Sequence, residues 1–298
     1  MQSQTHLWAV VATTADERRC AELELVLTAR SIEYQKQNAA DGWRLLVSAA
    51  NAERAVAELA AYRVENARAI GQRRLEDIGN GWPGVVGYAG ILLTVFLCAR
   101  QSVFGLDWYG AGRLQAGRVI TGEWWRAVTA LTVHLDLDHL AGNLGFGAFF
   151  GYFVGRYLGP GVGWLAVLGA ATLGNLLNAL AQAPQHRSIG ASTAVFAALG
   201  LLTAYTWRRG FLKETPWRAR IAPIIAGLGL LAFTGTGGEN TDLFAHLTGF
   251  VAGFGVGLAL ARFARVEITQ LANVQKSCGA LTVLAVVAAW VWGLWSAG

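Results

Sequence analysis

Charge is scarce in this sequence: Asp, Glu, Lys and Arg make up 14% of 298 residues, against about a quarter in an ordinary soluble domain. With 54% hydrophobic residues, that shortage excludes a soluble globular chain and predicts a membrane protein. Cysteine is scarce too. Cys20, Cys98 and Cys278 are odd in number, far apart and without a CxxC or histidine-rich neighbourhood, which excludes a disulfide frame and a cysteine metal site and predicts free thiols. A signal peptide is also missing, since the first apolar stretch, Leu7 to Thr13, is only strand-length and runs into Asp16-Glu17-Arg18-Arg19. The net charge of +5 does not argue for nucleic acid, because the basic residues lie beside apolar runs, where they set membrane orientation.

What is present divides the chain in two. Residues 1–78 hold a normal density of charge and predict a small cytosolic βαββα domain of ferredoxin-like type. In this reading Leu7 to Thr13 is a strand, and Thr14-Ala15-Asp16-Glu17 is a capping box opening a helix to Ser31. Ile32 to Asn38 and Trp43 to Ala49 form a hairpin around Asp41-Gly42, and Asn51 caps a last helix to Ala67. Nothing in this segment has a catalytic pattern, so a regulatory or partner-binding role is expected.

The remainder contains seven runs long enough to cross a bilayer, which takes about 20 apolar residues: 84–104, 138–158, 161–182, 190–207, 220–236, 243–262 and 278–296. With the N-terminus inside, eleven basic residues flank the runs on the cytoplasmic side and five, Arg100, Arg113, Arg118, Arg126 and Arg187, on the other. That bias predicts a cytoplasmic N-terminus and an external C-terminus. Runs two, four and six then begin on the outer side, and their first turns hold the polar residues His139 and Asn143, Ser192, and His246.

A serine, histidine or asparagine in hydrocarbon is costly unless it pairs or meets water, so such residues mark function, though each taken alone suits a helix-packing hydrogen bond as well. As a set at one depth they comprise a nucleophile, a base and oxyanion donors. His139 and Asn143 are four apart and share a helix face; donors of this kind contribute about 3 to 4 kcal/mol each to a transition state. Gly249, Gly253 and Gly257 follow His246 at every fourth position, a smooth strip for close helix approach that would bring an imidazole to a serine hydroxyl. No metal and no cofactor is expected, since there is no HExxH and no Asp or Glu beside His246.

These motifs resemble the rhomboid family of intramembrane serine proteases. Trp125-Arg126, the His134, His139 and Asn143 array, Gly190-Ala191-Ser192, and the Ala245 to Gly253 segment with Gly249 carry the resemblance. It implies a six-helix core over 79–265, followed by a linker and seventh helix over 266–298. It further implies Ser192 as nucleophile, His246 as general base, and His139, Asn143 and the Ser192 backbone N–H as the oxyanion hole. Trp125, Arg126, His134, Gly190, Gly249 and Gly253 would support these motifs. The implied substrates are single-span membrane proteins cut in or near their spans, and the implied location is a bacterial cytoplasmic membrane. The loop from Gly105 to Thr121 would be a membrane-embedded hairpin tied down by Arg126, and the glycine-rich loop from Thr234 to Asp242 a cap. One departure stands out: the family's Gly-x-Ser-Gly has Thr193 in its last place, which bears on packing beside the nucleophile. An alternative from another class is a catalytically silent relative that binds or chaperones membrane clients; the oligomeric state is not legible.

Overall fold

The computed structural model describes residues 7–39, 42–76, 79–209, 242–264 and 266–296, with positions 221, 222, 225 and 229 besides. The chain falls into two compact units, Met1–Asp77 and Ile78–Gly298.

The first unit has the βαββα order expected. Strands β1 (Trp8–Thr14), β2 (Tyr34–Ala39) and β3 (Gly42–Ser48) form an antiparallel sheet of order β1-β3-β2, with helices α1 (Glu17–Ala29) and α2 (Ala52–Glu76). Alternation along β3 buries Leu45 and Val47 against Cys20, Leu23 and Leu27 of α1 and Ala55 and Leu59 of α2. Two details differ from the sequence reading. The cap of α1 is Asp16, whose carboxylate accepts the Arg18 N–H, while the Thr14 hydroxyl accepts from Asp16. Helix α2 runs nine residues beyond Ala67, because the sequence from Arg68 to Glu76 contains only one weak helix former, Gly71.

The second unit is built on long apolar helices: α3 (Trp82–Arg100), α7 (Leu137–Leu158), α8 (Pro160–Ala181), α9 (Ser192–Arg209), α10 (Leu243–Phe263) and, after the short α11 (Val266–Thr269), α12 (Ala272–Trp295). Four of them, α3, α8, α10 and α12, are long and apolar enough to cross a membrane. The expected run 220–236 and the glycine-rich loop before Asp242 lie outside the described residues.

Between α3 and α7 the first loop folds into α4 (Trp108–Gly112), β4 (Leu114–Gln115), α5 (Ala116–Ile120) and α6 (Arg126–Thr129). Strand β4 pairs with β5 (Arg187–Ser188), just upstream of Ser192. Arg126 is 3% exposed and organises this loop. Its Nη1 donates to the carbonyls of Gly110, Ala111 and Arg113 at 2.9, 3.0 and 2.8 Å, and its Nε pairs with Glu123. Trp125, packed beside Trp292, and Trp108, packed beside Trp290, join the loop to α12. The other end of α12 is fixed by Gln275, whose Oε1 accepts the Gly161 and Val162 N–H groups at the start of α8 while its Nε2 donates to the Leu158 carbonyl.

Candidate active site

The site is set by how α9 and α10 lie together. A Cβ on Gly249 would stand 2.5 Å from the Thr193 carbonyl oxygen, one on Gly253 2.0 Å from that of Ala197, and one on Gly257 2.5 Å from that of Leu201. The matched positions advance together, so the helices run parallel, and glycine permits backbone-to-backbone packing along the whole strip. In this register Ser192, at the start of α9, stands level with the first turns of α10. His246 is 5% exposed and its ring stacks on Phe196 with centroids 4.6 Å apart and planes 23° apart. Phe196 is four residues after Ser192, hence on the same face of α9. Serine and imidazole thus occupy facing surfaces at one end of a parallel pair. The His246 Nδ1 is buried and has no hydrogen-bond partner among the described residues.

Helix α7 contributes from the third side. Asp136 caps it by accepting the His139 N–H at 2.8 Å. Gly190 has φ of 108°, and a Cβ there would lie 2.5 Å from His139 Nε2 and 3.6 Å from Asn143 Nδ2. Only glycine suits both that backbone and that contact. The Asn143 amide donates to the His139 carbonyl at 2.9 Å, and the Tyr88 hydroxyl donates to the Asn143 carbonyl at 2.8 Å. His134, in the loop before α7, donates from Nδ1 to the Thr132 carbonyl at 3.2 Å and accepts the Ala191 N–H on Nε2 at 3.3 Å. Burial, and then the neighbouring His139, push His134 down to about 4, so the ring is neutral at pH 7, as that pair of roles requires. It fixes the residue before Ser192.

Thr193 has a defined seat. Its methyl is among the atoms that a Cβ on Gly174 or Gly249 would meet, at 3.2 and 2.9 Å, so two glycines on α8 and α10 leave room for it. The structure therefore brings His139 and Asn143 to Gly190, His134 to Ala191 beside Ser192, and His246, Gly249 and Gly253 to α9. Trp125 and Arg126 lie instead in the first loop.

Three polar residues escaped the sequence reading. Asp242 caps α10, its Oδ1 accepting the Ala245 N–H at 3.0 Å, while its Oδ2 accepts from Asn178 Nδ2 and meets His186 Nε2, both at 2.7 Å. Burial pushes this carboxyl up, but the Ala245 amide, His186 and Asn178 outweigh it and hold Asp242 below the usual carboxylate range. The expectation of no acid beside His246 is thus corrected: Asp242 is one turn upstream, and its backbone carbonyl accepts the His246 N–H at 3.2 Å. The signal was available in the place of Asp242 directly before Leu243, a capping position four residues ahead of His246. Among the described residues no group of three or more His, Cys, Asp or Glu side chains is placed to hold a metal ion.

A bundle of membrane-length apolar helices enclosing serine, histidine and asparagine at one end defines an integral membrane protein with a buried polar site. Comparison with known proteins is specific about the class: residues 121–263 match the family model described as Rhomboid domain. The chain is similar to the rhomboid homologue YdcA of Bacillus subtilis strain 168, with 28% identity over 136 residues, 46% of this chain and 67% of that one. It is also similar to Rhomboid protease GluP of the same organism, with 32% identity over 151 residues, 50% of this chain and 28% of that one. Rhomboid-like protease 3 of Toxoplasma gondii is 33% identical over 150 residues, 49% of this chain and 54% of that one. The chain thus spans between about a quarter and two thirds of these relatives' lengths.

Proposed function

We propose that the protein is an intramembrane serine endopeptidase that hydrolyses peptide bonds in or near the spans of single-span membrane proteins. The observation that carries this reading is the stacking of His246 on Phe196, four residues from Ser192 on the same face of α9. It supports an imidazole acting on the alcohol of the same helix face; names containing "protease" among the relatives add support.

In this mechanism His246 takes the Ser192 proton as the hydroxyl attacks the scissile carbonyl. The oxyanion develops against the Ser192 N–H, His139 Nε2 and the second N–H of Asn143, whose first is held by the His139 carbonyl. His246 then protonates the leaving amine, and water, deprotonated by the same imidazole, resolves the acyl-enzyme. Residues 79–265 form the catalytic core, 266–298 a supporting helix, and 1–78 a cytosolic regulatory domain. The active end lies on the outer side of a bacterial cytoplasmic membrane, with the N-terminus in the cytoplasm. The substrate's unwinding span enters from the bilayer.

The test is cleavage of a single-span substrate in liposomes, with fluorophosphonate labelling alongside. Wild type cleaves and labels, whereas Ser192→Ala and His246→Ala do neither. Equal processing by all three rejects the dyad, and client binding without cleavage by any identifies a silent relative.

A further inference from the structure

We propose that Asp242 is the positioning residue of this site: its carboxylate clamps the first turn of α10 to α8 and to the loop before Ser192, and so sets where His246 stands relative to the serine. The inference rests on the serine–histidine reading and extends it to residues that do not touch substrate.

A helix cap needs only one acceptor, and Asp242 Oδ1 fills that need at Ala245. The second oxygen does something a cap does not require, since it gathers Asn178 from the last turn of α8, 64 residues away, and His186, 56 residues away and six before Ser192. His186 is itself on a fixed frame. Its carbonyl accepts the Ala116 N–H at 3.0 Å, the next two residues pair with β4, and the Gly190 N–H donates to the Ala130 carbonyl at 2.9 Å. The segment leading to the nucleophile is therefore bolted to the first loop, and Asp242 bolts the helix of the base to that same segment. The Asp242 and His186 side chains are 14% and 24% exposed, so the pair is shielded enough from solvent to hold one geometry. Glycine contacts along α9 and α10 leave sliding along the shared axis resisted mainly by backbone bumps; a charged bond at the helix start blocks that motion.

The experiment uses the full chain in liposomes and reads kcat, KM and the rate of fluorophosphonate labelling of folded protein. Asp242→Asn keeps an acceptor for Ala245 but turns an N–H toward Asn178 and His186. The expected result is kcat and labelling rate down about 10-fold to 100-fold, the range that a misplacement near 1 Å produces, with KM within twofold. His186→Ala falls similarly, and His186→Gln, which can still donate to Oδ2, recovers most of the rate. The double variant Asp242→Asn/His186→Ala is no slower than the worse single one. A merely structural clamp would lower the unfolding midpoint and leave kcat of the folded fraction unchanged, and that result overturns the inference, as do additive losses in the double variant. If Asp242→Asn does not fold, the two His186 variants decide. Failure of wild type to cleave or label defeats the functional reading itself, whereas intact wild type with unaffected Asp242 and His186 variants defeats only the clamp.

Discussion

Replacing Gly253 by alanine tests the site at its narrowest point. The new Cβ would stand 2.0 Å from the Ala197 carbonyl oxygen, while ordinary contact begins at 3.4 Å. The obstacle is backbone, so no side chain can swing aside, and α10 must part from α9 by about 1.4 Å. Overpacking of this kind costs about 1 to 3 kcal/mol, partly offset by about 1 kcal/mol of helix propensity gained over glycine, so the protein still folds. Chemistry is less forgiving, because a displacement near 1 Å costs about 100-fold in rate. The expected outcome is a folded Gly253→Ala protein whose kcat/KM on a single-span substrate in liposomes is down about 100-fold. Gly255→Ala is the control: nothing lies within 4 Å of that position, and it should cleave like wild type. Cleavage by Gly253→Ala within threefold of wild type would refute the claim that close packing of α9 on α10 sets the catalytic geometry.

Four further outcomes are expected. Arg126→Lys, lacking the fork that reaches three carbonyls and Glu123, should lose about 3 kcal/mol, seen as faster proteolysis of the loop between α3 and α7. Gly190→Ala forces a residue with Cβ into φ of 108° and onto His139, a strain of about 1 to 3 kcal/mol, and should label with fluorophosphonate at least tenfold more slowly. Thr193→Gly should lower the unfolding midpoint by the equivalent of about 1 to 2 kcal/mol, while its labelling rate stays near wild type. Because the folded-state value of Asp242 is depressed, its stabilisation is present above the ordinary 3.8 and is lost as the pH falls through the lower folded value. The stability gap between wild type and Asp242→Asn should therefore be widest near neutrality and shrink below pH 4.

The sequence exposes what depends on neighbours along the chain. Alternation in β1 and β3 and the charge of the first 78 residues lead to a βαββα unit. Helix starts place Ser192, His246, His139 and Asn143 at the tips of their helices, and the fourfold glycine spacing after His246 corresponds to the α9–α10 seam. It hides what depends on distant partners. Nothing near Thr193 announces that Gly174, 19 residues earlier, and Gly249, 56 residues later, will open space for its methyl. Asp242 can be read as a helix cap from its place before Leu243, but its bonds to Asn178 and His186 come from another helix and another loop. The folded membrane unit supplies those neighbours.

The corner at Gly159 and Pro160 carries a consequence for how such a molecule assembles. Two amides opening α8 find their acceptor on Gln275, more than a hundred residues later in the chain. During synthesis that turn must wait, hydrated or bonded elsewhere, until much later helices have emerged and come back to meet it. Final locking of an early part of the bundle is thus timed by one of the latest parts to be made.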